Sequence, residues 1–253
     1  MPNPVERVAA IYDVHGNLPA LEAVLAEVRR AGVDLVVVGG DMLPGPLPRE
    51  SLALLADLEL PVRCIRGNGD RAVLEEMAGK VPTALPESAH EAVRWVAGQL
   101  RPEDERRLAG WPGTLRVEIG GLGEVLFCHA TPRNDTEIFT RRTPEERLQP
   151  VFAGIDVPVV VCGHTHMQFD RRVGAIRVVN AGSVGMPFGD PGACWLLLGP
   201  GVEPRHTHYD LARAAERIRQ TDYPQAAEFA ARSILQPRSE SEMLDLFSQA
   251  ELR

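Results

Sequence analysis

Five short polar clusters, each placed directly after an apolar run, hold the residues best able to do chemistry. Asp13-Val14-His15 follows the run 5–11, Gly40-Asp41 follows Leu35–Val38, and Gly67-Asn68 follows 61–65. His129 closes the run 124–128, and Gly163-His164-Thr165-His166 follows 157–161. Two aspartates, one asparagine and four histidines make a mixed nitrogen and oxygen donor set. Such a set suits borderline to hard divalent ions such as Mn, Fe, Zn or Ni rather than a thiolate site. Seven donors are too many for one tetrahedral ion. They are about right for two ions sharing a carboxylate, spaced about 3.5–4 Å as in two-metal hydrolases. Taken singly, an Asp after a strand is ordinarily a turn or cap residue, and a lone His such as His90, His206 or His208 an ordinary structural one. Taken together, at five strand ends, the seven point to one shared site.

The elements that must position these residues are legible in the apolar periodicity. Leu18, Leu21, Val24, Leu25 and Val28 recur at helical spacing, with Asn17 placed to cap, Pro19 in the first turn and Gly32 at the end. With a second helix at 51–58, the first 65 residues read β-α-β-α-β, which predicts parallel strands joined by right-handed crossovers. Ligands then bind beyond the carboxyl ends of the strands. Residues 70–110 read as charged helix. Hairpins are expected around Gly120-Gly121 and Gly174, a further strand at 193–198, and three short amphipathic helices from about residue 211. The proline-rich stretch 43–48 is expected to shape the mouth of the site.

Lys plus Arg total 27 against 35 Asp plus Glu, a formal charge of −8, which excludes a broad basic surface for duplex DNA or anionic lipid. No stable nucleic-acid or membrane partner is expected. No apolar run approaches the ~20 residues of a membrane span, and the first ten residues lack the layout of a signal peptide. The four cysteines sit in apolar strands without paired spacing and read as reduced core residues. A cytoplasmic protein is the expectation. A homodimer is left open, since no apolar stripe demonstrates one.

The order D-x-H (Asp13, His15), G-D (Asp41), G-N-x-D (Asn68, Asp70), a later His (His129) and G-H-x-H (His164, His166) resembles the calcineurin-like metallophosphoesterases. The likeness covers roughly residues 5–200. The runs D-V-H-G-N, H-A-T-P-R and N-A-G-S point to the small bacterial and archaeal branch similar to the YfcE-type phosphodiesterases. The resemblance implies an α/β fold, a four-layer α/β/β/α sandwich of two mixed sheets flanked by helices (the metallo-dependent phosphatase fold). It would occupy residues 1–210, with 211–253 a helical appendage packed on the same domain.

By position, the resemblance implies one ion on Asp13, His15, Asp41 and His166, and another on Asp41, Asn68, His129 and His164, with Asp41 bridging. Asp41, Asn68 and His129 are the implied catalytic centre, the ions being two divalent metals with Mn²⁺ foremost. A hydroxide shared by the ions would attack phosphorus in a small phosphorylated substrate. Arg133 and Asp70 are expected to contact that substrate, with Arg66 a weaker candidate, while Asn180 and Ser183 would brace the ligand loops. Many relatives of this kind read G-N-H-(D/E), the His protonating the leaving group; here Gly69 takes its place. The expected reaction is therefore hydrolysis of a phosphodiester, nucleotide or dinucleoside polyphosphate with an acidic leaving group. A protein Ser/Thr phosphatase or general phosphomonoesterase ranks lower, for want of that His and of the G-D-x-x-D-R-G signature. A non-catalytic metal-binding scaffold ranks lower still, because all seven positions hold competent groups.

Overall fold

The computed structural model describes residues 5–83 and 85–252. The opening segment forms β1 (Val8–Ile11), α1 (Leu18–Ala31), β2 (Leu35–Val38), α2 (Pro48–Ala56), β3 (Val62–Cys64) and α3 (Asn68–Met77). Helix α1 begins and ends where its residues dictate. The Asn17 side chain accepts from Ala20 N–H, Pro19 lies in the first turn, and Gly32 takes the left-handed conformation with φ 63°. Helices α4 (His90–Gln99) and α5 (Pro102–Ala109) complete the charged middle. The second half contributes β4 (Thr114–Ile119), β5 (Gly123–Cys128), α6 (Glu145–Leu148), β6 (Val159–Cys162), β7 (Phe169–Val173) and β8 (Ile176–Asn180). Strands β9 (Ala193–Leu198) and β10 (Val202–Thr207) return to the first sheet.

The strands make two five-stranded sheets, ordered β10-β9-β1-β2-β3 and β4-β5-β6-β8-β7. Parallel pairing of β1, β2 and β3 sets Ile11, Val38 and Cys64 at one level. In the other sheet Phe127, Val161 and Val179 are likewise level. Each sheet therefore releases the loops that follow these strands at one level. Alternation along each strand divides the core. Val8, Ala10, Tyr12, Leu35 and Val37 face Val125, Phe127, Val159 and Val161 between the sheets. Ala9, Ile11, Val36 and Val38 face the helices. The outer face of the second sheet is covered by the one-turn α6 and irregular chain carrying Phe139, Val151 and Phe152, so that helical layer is thin. Strand β10 was not expected, because Glu203, Pro204, Arg205 and His206 hide its period; Pro204 is tolerated on an edge strand.

The last segment consists of α7 (Leu211–Arg219), α8 (Ala226–Phe229) running into a π-helical stretch (Ala230–Leu235), and α9 (Glu240–Ser248). Its course is a strap. Ala214, Ile218, Phe229 and Ile234 are buried in the core of the first sheet's helical layer, at about 1.5–3 kcal/mol for each fully buried large side chain. Met243 and Leu244 then pack with Met167 and Phe188. The end is tied to the second sheet's cover: Glu251 accepts from Thr143 Oγ1 (2.6 Å) and Arg147 Nη1 (2.8 Å), and Leu252 N–H donates to Ile138 O. Among the described residues no helix is long and apolar enough to cross a membrane. All four cysteines are free thiols, Cys128 and Cys162 being buried.

Candidate metal centre

The five loops meet at one end of the paired sheets, and their side chains form two clusters. Asp13, His15 and His166 make one, and Asp41, His129 and His164 the other, with the donor atoms of each within 4.8 Å of one another. Asp41 Oδ2 lies between the clusters, 3.8 Å from His15 Nε2 and 3.5 Å from His129 Nε2. Asn68 Oδ1 is 3.0 Å from His129 Nε2. All seven residues expected at the centre are brought together.

The backbone is bent to do this. Asp13 (φ 53°), His15 (48°), Asp41 (51°), His164 (65°) and His166 (58°) all occupy the left-handed region, a cost of order 1–3 kcal/mol each for residues with a Cβ. Such conformations persist where the surroundings over-determine them. Here Asp13 N–H, His15 N–H and Gly16 N–H donate to the carbonyls of Gly40, Asp41 and Met42, tying the first loop to the second. Tyr12 crosses between the sheets, its hydroxyl donating to Val161 O at 3.0 Å.

Hydrogen bonds to backbone carbonyls orient each imidazole. Nδ1 of His15, His129 and His166 faces Pro44 O (3.3 Å), Gly39 O (3.0 Å) and Met186 O (2.8 Å) respectively. Each ring therefore donates through Nδ1 and turns Nε2 inward, where a deprotonated Nε2 can serve a cation. His164 is reversed, since its Nε2 faces Thr136 O at 3.2 Å, leaving Nδ1 for the centre. Two inward ring nitrogens then meet at 3.3 Å, His15 Nε2 against His166 Nε2. Beside them Asp13 Oδ1 is buried with no hydrogen-bond partner, 3.3 Å from His166 Nε2. Ring nitrogens converging beside a buried oxygen without a hydrogen-bond partner are costly alone and are what divalent cations would satisfy. The donor set fits two such ions.

Burial, followed by the charge of His129, pushes His164 down to about 4, so it is neutral at pH 7 with its lone pair available. His15 is also lowered, chiefly by burial. For His129 burial acts downward, but the Asp41 carboxylate and then Asp13 outweigh it and raise the ring to about 10. Without cations, His129 is thus the proton that compensates Asp41.

Gly67 and Gly69 are demanded by close approach. Gly69 N–H donates to Asp41 Oδ1 at 2.7 Å. A Cβ on Gly67 would collide with that same oxygen, and a Cβ on Gly69 with Leu43 O. The space an imidazole would need at position 69 is thus filled by the 43–48 loop. That loop does not form the mouth of the site, as its sequence suggested. It is largely buried and braces the centre from beneath, through Pro44 O to His15 and Leu43 N–H to Asp70.

Asp70 itself corrects an expectation. It is fully buried, its two oxygens accept from Leu43 N–H and Gly67 N–H at 3.0 Å each, and it caps α3 instead of facing substrate. Burial, then the Asp41 charge, raise it to about 8. The Arg133 guanidinium stands at the rim but is spent on Glu137, at 2.6 and 3.0 Å. Asn180 and Ser183 brace the loops as expected. Asn180 Nδ2 donates to Gly163 O, and Ser183 Oγ donates to Asp13 O while accepting from Met186 N–H. The carbonyls of Gly39, Pro44, Thr136 and Met186 were not foreseen, because residue type does not encode the aim of a carbonyl. Also unforeseen was Arg71, which clamps Asp135 through Nε and Nη2 at 2.8 Å each and so ties α3 to the His129 loop.

Known proteins place this architecture. The uncharacterised protein MJ0912 of Methanocaldococcus jannaschii is 27% identical over 238 residues, covering 86% of this chain and 94% of that one. The metallophosphoesterase structure from Sphaerobacter thermophilus superposes with TM-score 0.70 at 28% identity, covering 90% of this chain and 99% of that one. The hypothetical protein PH1004 from Pyrococcus horikoshii OT3 superposes with TM-score 0.78 at 20% identity, covering 92% and 99%, a likeness of fold. The family model for the calcineurin-like phosphoesterase superfamily domain matches residues 7–199. With its ligand-rich strand ends spanning that match, the chain belongs to the calcineurin-like phosphoesterase superfamily and is a metal-dependent phosphoesterase.

Proposed function

We propose that this phosphoesterase uses two divalent ions, with Mn²⁺ the first choice, to hydrolyse phosphodiesters and phosphoanhydrides of the nucleotide or dinucleoside polyphosphate kind. Asp13, His15 and His166 would hold one ion, Asn68, His129 and His164 the other, and Asp41 both. Bound there, such ions supply Lewis acidity to a phosphate oxygen and lower the pKa of a shared water. The observation that carries the reading is Asp41 Oδ2 standing between His15 and His129, with its other oxygen fixed by Gly69 N–H.

The chain's own residues bias the chemistry. With position 69 closed by Leu43 O, no side chain there can hand a proton to the departing group. Leaving groups that depart as stable anions are favoured over alkoxides. A cavity of about 1130 Å³ beside Met186 and Phe188, walled by the strap residues Arg232, Arg238, Met243 and Leu246, would take the organic part of the substrate. The Phe188 ring stacks on His166, with centroids 5.5 Å apart, which places that cavity on the His166 side. In this reading residues 1–210 carry the catalytic domain, and 211–253 are the helical appendage that walls it.

The test is hydrolysis of bis-p-nitrophenyl phosphate and p-nitrophenyl phosphate by metal-stripped protein reloaded with Mn²⁺. The diester is expected to turn over faster, and only with metal. Asp41→Asn should lose more than the 10–100-fold, roughly, that removing an outer partner of a metal site costs. Metal-independent turnover, or an Asp41→Asn variant as active as wild type, overturns the reading. Across aryl diesters the rate should fall steeply as leaving-group pKa rises; a flat series refutes the bias.

A further inference from the structure

A second, smaller recess adjoins the centre at His129. It has a volume of about 300 Å³ and is lined by His129 together with Arg66, Thr114, Thr131, Arg133 and Asp135, among others. Its charges largely cancel. Arg133 is held by Glu137, and Asp135 by Arg71. Thr131 Oγ1 donates to Glu137. Two donors are left over. Among the described residues the Arg66 guanidinium makes no ion pair or hydrogen bond, Arg66 being tied only through its backbone N–H to Pro112 O. The Thr114 hydroxyl, at the start of β4, is likewise unengaged. The recess thus offers one unmatched positive charge, in a planar array suited to two phosphate oxygens, next to a residue of the candidate metal centre.

We propose that this recess is an anion subsite that receives the departing phosphate of a phosphoanhydride, with Arg66 as its specificity-determining residue. The inference rests on the phosphoesterase reading above and narrows its substrate class. Water adds its oxygen to the phosphorus under attack, and its proton passes to solvent. The bond from that phosphorus to the bridging oxygen breaks, and the electron pair leaves on that oxygen with the second phosphate. The departing group is then an anion, which a permanently charged guanidinium stabilises without any proton transfer. This matches a centre in which Leu43 O closes position 69. Arg66, not Arg133, is the free guanidinium, the reverse of the order in which sequence position ranks them.

Wild type, Arg66→Ala, Arg66→Lys and Thr114→Val are compared, all Mn²⁺-loaded, on bis-p-nitrophenyl phosphate and on a dinucleoside polyphosphate. Arg66→Ala should lower kcat/KM for the anhydride about 10- to 100-fold, the range for a charged hydrogen bond, and leave the aryl diester within about threefold, since the diester has no second phosphate. Arg66→Lys should recover part of the loss, and Thr114→Val should lie between Arg66→Ala and wild type. Methylenebisphosphonate, a non-hydrolysable bisphosphonate, should inhibit wild type more tightly than inorganic phosphate does, and lose that advantage in Arg66→Ala. Equal losses on both substrates would mean a general positioning role and would overturn the proposal, as would no loss on either. If wild type cleaves the diester but neither cleaves the anhydride nor binds the bisphosphonate preferentially, the subsite fails and the phosphoesterase reading stands. If it cleaves neither substrate, that reading fails, and calorimetric binding of methylenebisphosphonate against inorganic phosphate, to wild type and Arg66→Ala, still decides the subsite.

Discussion

His129 shows how much a single side chain is asked to do. Its Nδ1 is held by Gly39 O, and its Nε2 faces both Asn68 Oδ1 and Asp41 Oδ2. With its pKa raised to about 10 and Asp41 held below the usual carboxylate range, chiefly by His129 against the upward push of burial, the metal-stripped protein carries an imidazolium there at neutral pH. An incoming ion must displace that proton. Mn²⁺ affinity should therefore rise about tenfold per pH unit from pH 7 towards 10, with about one proton released per protein from this residue. Chelator competition and titration in weak buffer measure both, and a flat affinity would contradict the assignment. The sign for stability is opposite. A raised histidine pKa contributes stability that is fully present below about 6.5 and lost as pH climbs through about 10. The Tm of the stripped protein should fall over that window, and His129→Asn should flatten the fall.

Loops between elements, rather than the elements, carry the backbone strain around the centre. The 43–48 loop reaches His15 with one carbonyl, blocks position 69 with another, and satisfies Asp70 with an N–H. Gly69→Ala should therefore force Leu43 backbone to move, at a cost of about 1–3 kcal/mol, seen as a lowered Tm. It should also weaken Mn²⁺ binding, because Pro44 O moves with Leu43 and releases His15. Gly69→His should do the same and gain no proton donor. An unchanged Tm in both variants would show the loop to be compliant and reopen the question of why no imidazole stands there. The glycine was visible in the sequence as a departure from the usual motif. The reason for it, a carbonyl 26 residues earlier pressed against the same space, was not.

Across the molecule, the terminal strap joins the two halves of the sandwich. It is anchored in the first sheet's helices, accepts Gly189 N–H at Arg238 O beside the Phe188 that stacks on His166, and ends on the second sheet's cover. Ion pairs Arg141–Glu240 and Arg142–Asp245 add a tie between α9 and the chain beyond the His129 loop, worth little each at the surface. The apolar contacts carry the attachment. Deleting residues 237–253 should leave the sheets folded, because α7 and the π-helical stretch stay buried. It should lower Tm and weaken Mn²⁺ binding by about 10-fold or more, since Phe188 stacks on His166 and loses Met243, Leu244 and Phe247. Calorimetry with and without Mn²⁺ checks this; a truncated protein with unchanged metal affinity would show that the strap does not support the centre.

The apolar runs and the polar residues ending them determined, unaided, that strand ends deliver seven metal-competent side chains to one rim, because strand period and helix caps are local properties of the chain. Asn17, Pro19 and Gly32 placed α1 for the same reason, and Asn180 and Ser183 were readable as braces. Strand β10 was not readable, since an edge strand with Pro204 has no apolar period. What only the tertiary structure decided were contacts between segments distant in the chain. These include which nitrogen of each histidine turns inward, set by the carbonyls of Gly39, Pro44, Thr136 and Met186, and the capture of Arg133 and Asp135 by Glu137 and Arg71, which leaves Arg66 free. They also include the withdrawal of Asp70 into the cap of α3. A residue's type states what it can bind; whether it is free to do so depends on neighbours that arrive only when the chain closes on itself.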